Sequence, residues 1–282
     1  MARKLVLHCR GIDAPPSGSP SNGITLHFAT LEDLSQRQHE LEALLDRHER
    51  DRAARFVHDK DRLRYVLGHG FMREVLSAAS GVPATSIDFT RGPFGKPSMN
   101  GADFHFNFSD TKDAVLIGIG PEELGVDLET MERRVDHERV AEHYFTPEEV
   151  REMERASDKA QVSSAKVQEP SFKAQASNFK LQRAERAAKG EDAGKRRFLE
   201  FWTRKEAVLK ASGVGIMDDL KVLRVQDGMH EIHIAHEEFI RMAAAQYHIS
   251  TFALGTSHVI SVASSIERPL ALIPPRRTGD GN

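Results

Sequence analysis

From Leu31 to about Ser80 the apolar residues follow a helical rhythm, with Leu63, Leu67, Phe71 and Val75 falling every four residues as one stripe to be buried. Elsewhere the period shortens to two. "ITLHFA" (24–29), "FHFNFS" (104–109) and "AVLIGIG" (114–120) predict strands, the last two joined by the polar turn "DTKD", and "LGVDLE" (124–129) follows almost at once. "IDFTRGPFGKPSM" (87–99) predicts a short strand and a Gly/Pro-rich loop, and "GIDAPPSGSPSNG" (11–23) a loop throughout. In "FTPEEV" (145–150) Thr146 can cap a helix, Pro147 suits its first turn and Glu149 completes a capping box. A second helix, "FLEFWTRKEAVLKASG" (198–213), is stopped by Gly213, and strands are expected at 220–225, 231–235, 249–255 and 258–264. Helices mixed with short, mostly hairpin-linked strands predict an α+β fold.

Residues 157–197 break this economy. They carry ten Lys/Arg against five Asp/Glu and few large apolar groups, which predicts a mobile, partly helical insertion interrupted at Pro170. The ending "IPPRRTGDGN" predicts a frayed tail.

Composition narrows the function classes. With 282 residues, 39 Lys plus Arg against 42 Asp plus Glu and a net charge of −3, the chain is not a general nucleic-acid binder. One cysteine, Cys9, excludes an internal disulfide framework and suits a reducing compartment, and no base motif accompanies it. The opening "MARKLVLHCRG" has too brief an apolar run for a signal peptide, and nothing reaches the length of a membrane span, so a cytoplasmic protein is expected. Fourteen histidines come without HExxH, and neither GxSxG nor a GxxxxGK[ST] loop is present.

Two fragments carry candidate chemistry. On a strand, Asp127 and Glu129 share one face while Val126 and Leu128 point the other way. Such a pair suits a hard cation such as Mg²⁺, although by itself the pentapeptide reads first as a solvated strand end. Glu206 and Lys210, at i and i+4 on the later helix, read as a metal ligand and a phosphate clamp, or as a surface ion pair. Arg52, Arg55, Arg62, Arg64 and Arg73 read mostly as a solvated helix face, and Arg91 and Lys96 flank the glycine loop "GPFG".

Taken in order, "RAARF" (52–56), "RGPFGKP" (91–97), "FNFSD" (106–110), "GVDLE" (125–129) and "WTRKEAVLKASGVGI" (202–216) resemble the 4′-phosphopantetheinyl transferases, most closely the larger, surfactin-synthetase-activating type. The resemblance implies an intramolecular pseudo-dimer of two similar α/β halves, here 1–121 and 122–270 (with the 157–197 insertion), a tail at 271–282, and a site in the cleft between the halves. It implies transfer of the phosphopantetheine arm of coenzyme A to a serine of an apo acyl or peptidyl carrier protein, releasing 3′,5′-ADP, by a monomer that needs neither nucleic acid nor membrane. Asp127, Glu129 and Glu206 are implied as ligands of Mg²⁺ (or Mn²⁺), Glu206 also as general base, and Lys210 as a clamp on the diphosphate. Arg52, Arg91, Lys96, Asn107, Ser109 and Lys205 are implied as neighbours of coenzyme A. Asp110 stands in that set where many relatives carry a phosphate-contacting histidine, so the contact is lost, bridged by metal or replaced by a nearby base. A non-catalytic coenzyme A or carrier-binding module and a Mg²⁺-dependent phosphohydrolase of coenzyme A-like nucleotides stand as alternatives.

Overall fold

The computed structural model of the chain describes residues 2–165, 175–215, 217 and 219–275, with side chains described outside 161–191. Strands β1 (Arg3–Gly11) and β2 (Ile24–Thr30) are followed by three short helices, α1 (Leu31–Ser35), α2 (Gln38–Ala43) and α3 (Arg47–Ala53), and by the long α4 (Asp59–Ser80). The expected stripe is the buried face of α4: Leu67, Phe71 and Val75 pack on Phe106, Val115 and Ile117, with Leu63 at the margin. Gly81 ends the helix at φ 73°, a left-handed position that glycine takes without penalty. A hairpin of β3 (Phe89–Arg91) and β4 (Pro97–Met99) leads to β5 (His105–Asp110), β6 (Ala114–Gly120) and β7 (Leu124–Thr130).

The second half contains α5 (His137–Tyr144), α6 (Pro147–Ala165), α7 (Gln175–Ser212), β8 (Gly228–Ile234), α8 (Glu237–Met242), β9 (Gln246–Leu254), β10 (His258–Ser264) and β11 (Leu270–Ile273). The predicted capping box opens α6: Thr146 N donates to Glu149 Oε2 at 2.8 Å and Glu149 N to Thr146 Oγ1 at 3.2 Å. Residues 166–174, and with them the interruption expected at Pro170, lie outside the described residues, as do the side chains that bear on the insertion's expected mobility.

One sheet has the order β11-β2-β6-β5 and the other β7-β10-β9-β1-β8. The architecture is α+β, two halves each with a long helix packed on a sheet. The chain ends cross between them: β1 pairs with β8 and β9, and β11 with β2. A division at residue 122 therefore leaves each terminal strand in the opposite sheet, and a tail starting at 271 cuts into β11. The alternation Leu5, Leu7, Cys9 makes β1 out of what reads in the sequence as a brief apolar run, because its partners lie more than two hundred residues away.

The strand expected at 220–225 is instead a 3-10 turn at Leu220–Val222. Lys205 Nζ donates to the carbonyls of Leu220 (2.9 Å) and Leu223 (2.6 Å), and Val225 N donates to Glu149 (3.0 Å), so a buried charged pair uses the groups a strand ladder needs.

Two contacts set the site. Strands β5 and β7 meet through side chains: Val126 N donates to Asn107 Oδ1 (2.8 Å) and Leu128 N to Ser109 Oγ (3.2 Å). On its other side β7 lies against the backbone of α7. A Cβ on Gly125 would stand 2.0 Å from Ala207 O and 2.4 Å from Ala211 N, so only glycine permits the approach.

Candidate active site

This close approach brings the Glu206–Lys210 turn of α7 over Asp127. Lys210 Nζ donates to Asp127 Oδ1 (2.6 Å), Ser109 Oγ (2.9 Å) and Val126 O (3.1 Å), joining fragments from three elements. Ser109 Oγ also lies 3.1 Å from Asp127 Oδ1, whereas Asp127 Oδ2 is buried with no hydrogen-bond partner. Beyond it, Glu129 Oε1 pairs with Arg133, whose guanidinium carbon stands 5.2 Å from the centre of the Trp202 ring.

Burial, and then the charge of Asp127, push the carboxyls of Glu129 and Glu206 up to about 7; Arg133 and Lys210 offset only part of this. Both glutamates therefore feel the Asp127 carboxylate. Among the described residues no three His, Cys, Asp or Glu side chains are disposed to enclose a metal as they stand, with Asp127 turned to Lys210 and Glu129 to Arg133. In chemistry the set suits a hard divalent cation: three carboxylates in one field and an orphaned buried oxygen, Asp127 Oδ2.

The remaining expected residues divide. Arg52 is exposed, with its guanidinium 5.4 Å from the Tyr65 ring, and Arg91 donates to Gly95 O at 3.0 Å. Tyr65 stacks on His69 (4.0 Å), which faces Phe108 of β5 (5.8 Å), so a chain of rings runs from Arg52 to β5. Asp110 ends β5 and pairs with Arg64 of α4 at 3.4 Å. Asn107 is a buried joint between the halves. Lys96 is mostly buried, bonded to Glu123 and to Leu124 O (3.0 Å), and lines a cavity of about 640 Å³ at the seam with Met99, Phe104, Gly213 and Tyr247. Asp127, Glu129 and Glu206 do not line that cavity.

Lys205 belongs elsewhere. It is wholly buried, 3.0 Å from an equally buried Glu149 and against the Phe145 ring, so it holds the core. One residue is about 100° of helix rotation, enough to send Lys205 inward while Glu206 faces β7. Arg204 is buried too, on Thr251, Val225 O and Asp227, and Arg73, expected on a solvated face, is buried on Asp46 and Glu49. Cys9 is buried and its thiol is pushed up to about 12, which suits an inert role. Arg133, against Glu129, has no place in the sequence expectations, and Arg64, read there as part of a solvated helix face, pairs with Asp110. Arg133 carried a signal, four residues after Glu129; Arg64 carried none beyond its place in the basic run.

A family model described as the 4′-phosphopantetheinyl transferase superfamily matches residues 123–263, and one described as 4′-phosphopantetheinyl transferase, N-terminal, matches 34–121. The chain is 28% identical over 183 residues to slr0495 of Synechocystis sp., covering 64% of this chain and 61% of that one. It is 27% identical over 162 residues to the 4′-phosphopantetheinyl transferase gsp of Aneurinibacillus migulanus (57% and 53% covered), and 24% identical over 206 residues to the 4′-phosphopantetheinyl transferase Sfp of Bacillus subtilis (71% and 76%). The matches thus span between about half and three quarters of the length of these relatives.

Proposed function

The chain belongs to the 4′-phosphopantetheinyl transferase superfamily, and from that premise we propose that it moves the phosphopantetheine arm of coenzyme A onto a serine of an apo acyl or peptidyl carrier protein. The observation that carries the reading is the single bonded group formed by Lys210, Asp127 and Ser109, with Glu206 one turn away on the same helix.

Asp127, Glu129 and Glu206 would hold Mg²⁺ or Mn²⁺. Bound there, the ion neutralises diphosphate charge and polarises a phosphoryl oxygen. Glu206 takes the proton of the carrier serine as general base. The serine oxygen bonds to the phosphorus that bears pantetheine, the bond from that phosphorus to the ADP oxygen breaks, and 3′,5′-ADP leaves. Lys210 offsets the charge that gathers on the leaving phosphate. Arg52 and Arg91 offer cations to the nucleotide phosphates, and Arg64 neutralises Asp110, which would otherwise repel them. No nucleophile from the enzyme is needed, since such transfer depends on positioning and charge.

Among the described residues no helix is long and apolar enough to cross a membrane. A cytoplasmic monomer is our reading. The test is incubation with coenzyme A, Mg²⁺ and a panel of apo carriers. Gain of phosphopantetheine mass on a carrier, abolished by chelator and restored by Mn²⁺, is expected. ADP released without any acceptor would mark a phosphohydrolase instead, and coenzyme A binding without either product a non-catalytic module.

A further inference from the structure

Arg133 is absorbed by none of the roles above, yet it touches the acidic cluster directly. Its guanidinium meets one oxygen of Glu129, Oε1, and rests against the face of Trp202. Trp202 is itself held, with its ring 6.0 Å from Phe198 and near parallel (20°), and 5.8 Å from Tyr144 edge-on. The backbone is fixed as well: Arg133 N donates to Thr130 O at 3.0 Å in the turn that leaves β7. The arrangement mirrors the neighbouring carboxylate, where Lys210 takes Asp127 Oδ1 and leaves Oδ2 without a partner.

We propose that Arg133 is a positioning residue for the cation site: seated on Trp202, it holds Glu129 by one oxygen so that the other is free for a divalent ion. The inference rests on the metal reading above. A guanidinium suits this work better than an ammonium, because it is planar, stacks on an aromatic face and offers donors in a fixed fork. Outer contacts of this kind orient metal-binding carboxylates. The opposite reading is that Arg133 is only a rival cation, which must be expelled before a metal binds. The two differ in sign.

The experiment is Mn²⁺ titration of the full chain, read by loss of the free-ion EPR signal and by emission of Trp202, the single tryptophan. In the wild type, Mn²⁺ is expected to bind and to alter that emission. Arg133→Ala should raise the Mn²⁺ Kd by about 10- to 100-fold, with the emission change displaced to the same higher concentrations and far-UV circular dichroism unaltered. In a Glu129→Gln background Arg133→Ala should add little, because its effect passes through Glu129. Equal or tighter Mn²⁺ binding by Arg133→Ala would overturn the proposal and leave the metal site standing. Losses that simply add in the double variant would overturn it too. Absence of Mn²⁺ binding by the wild type, with and without coenzyme A, would remove the metal reading and this inference together.

Discussion

Lys210 and Lys205 sit five residues apart on one helix and do different work. Lys210 reaches Asp127 across the β7–α7 contact, so Lys210→Ala should lower kcat more than it weakens coenzyme A binding, by about 2–4 kcal/mol in barrier. Glu206→Gln should abolish turnover while coenzyme A still binds; steady-state kinetics with calorimetry separates the two effects. Lys205 instead closes a pair with Glu149 in which neither side chain is exposed. Removing it leaves a buried charge unpaired, so Lys205→Ala should cost about 3–5 kcal/mol in urea unfolding. The acidic cluster also sets a pH dependence. Glu129 and Glu206 titrate near 7 in the folded chain and in the usual carboxylate range when unfolded. Between these values the folded state holds protons that the unfolded state has released. Their contribution to stability is therefore full below the unfolded range and lost as pH rises through about 7. In excess chelator the Tm should fall from pH 6 to pH 8, and replacing both glutamates with glutamine should flatten that fall.

At the scale of elements, the decisive contact is backbone against backbone, β7 on α7. Gly125→Ala forces a methyl group into Ala207 O and Ala211 N, neither of which is a flexible chain end that can step aside. Either the strand or the helix must shift, carrying Asp127 away from Lys210. Large destabilisation is expected, about 3 kcal/mol or more by the usual cost of core overpacking and backbone displacement, read as a lowered Tm and lost transfer. The glycine of "GVDLE" thus sets the geometry of the site through backbone packing.

In the whole molecule the two halves share one apolar layer. Leu26 and Leu116 from the first sheet pack with Val126, Leu128, Phe252 and Ile260 from the second. The terminal strands add to this, since β1 lies between β9 and β8 and β11 pairs with β2. Unfolding should be a single transition, with Trp202 emission and far-UV circular dichroism giving one coincident urea curve. Removing residues 1–11 should leave the second sheet unable to close, so that truncated protein fails to accumulate in soluble form. Two separated transitions would show instead that the halves stand independently.

Periodicity along the chain was enough for the stripe of α4, the capping box at Thr146 and Glu149, and most of the strands, because each depends on residues within a few positions of one another. The motif pairs were legible for the same reason, and in order they marked the family. Tertiary structure decided everything that required distant segments to meet. It turned Lys205 and Arg204 inward, made Asn107 a joint between sheets, and set Arg64 against Asp110. It also carried β1 across to partners at the far end of the chain. Local sequence encodes which face of a helix or strand is apolar, whereas a charged side chain is assigned to core, seam or cleft only by what the fold brings opposite it.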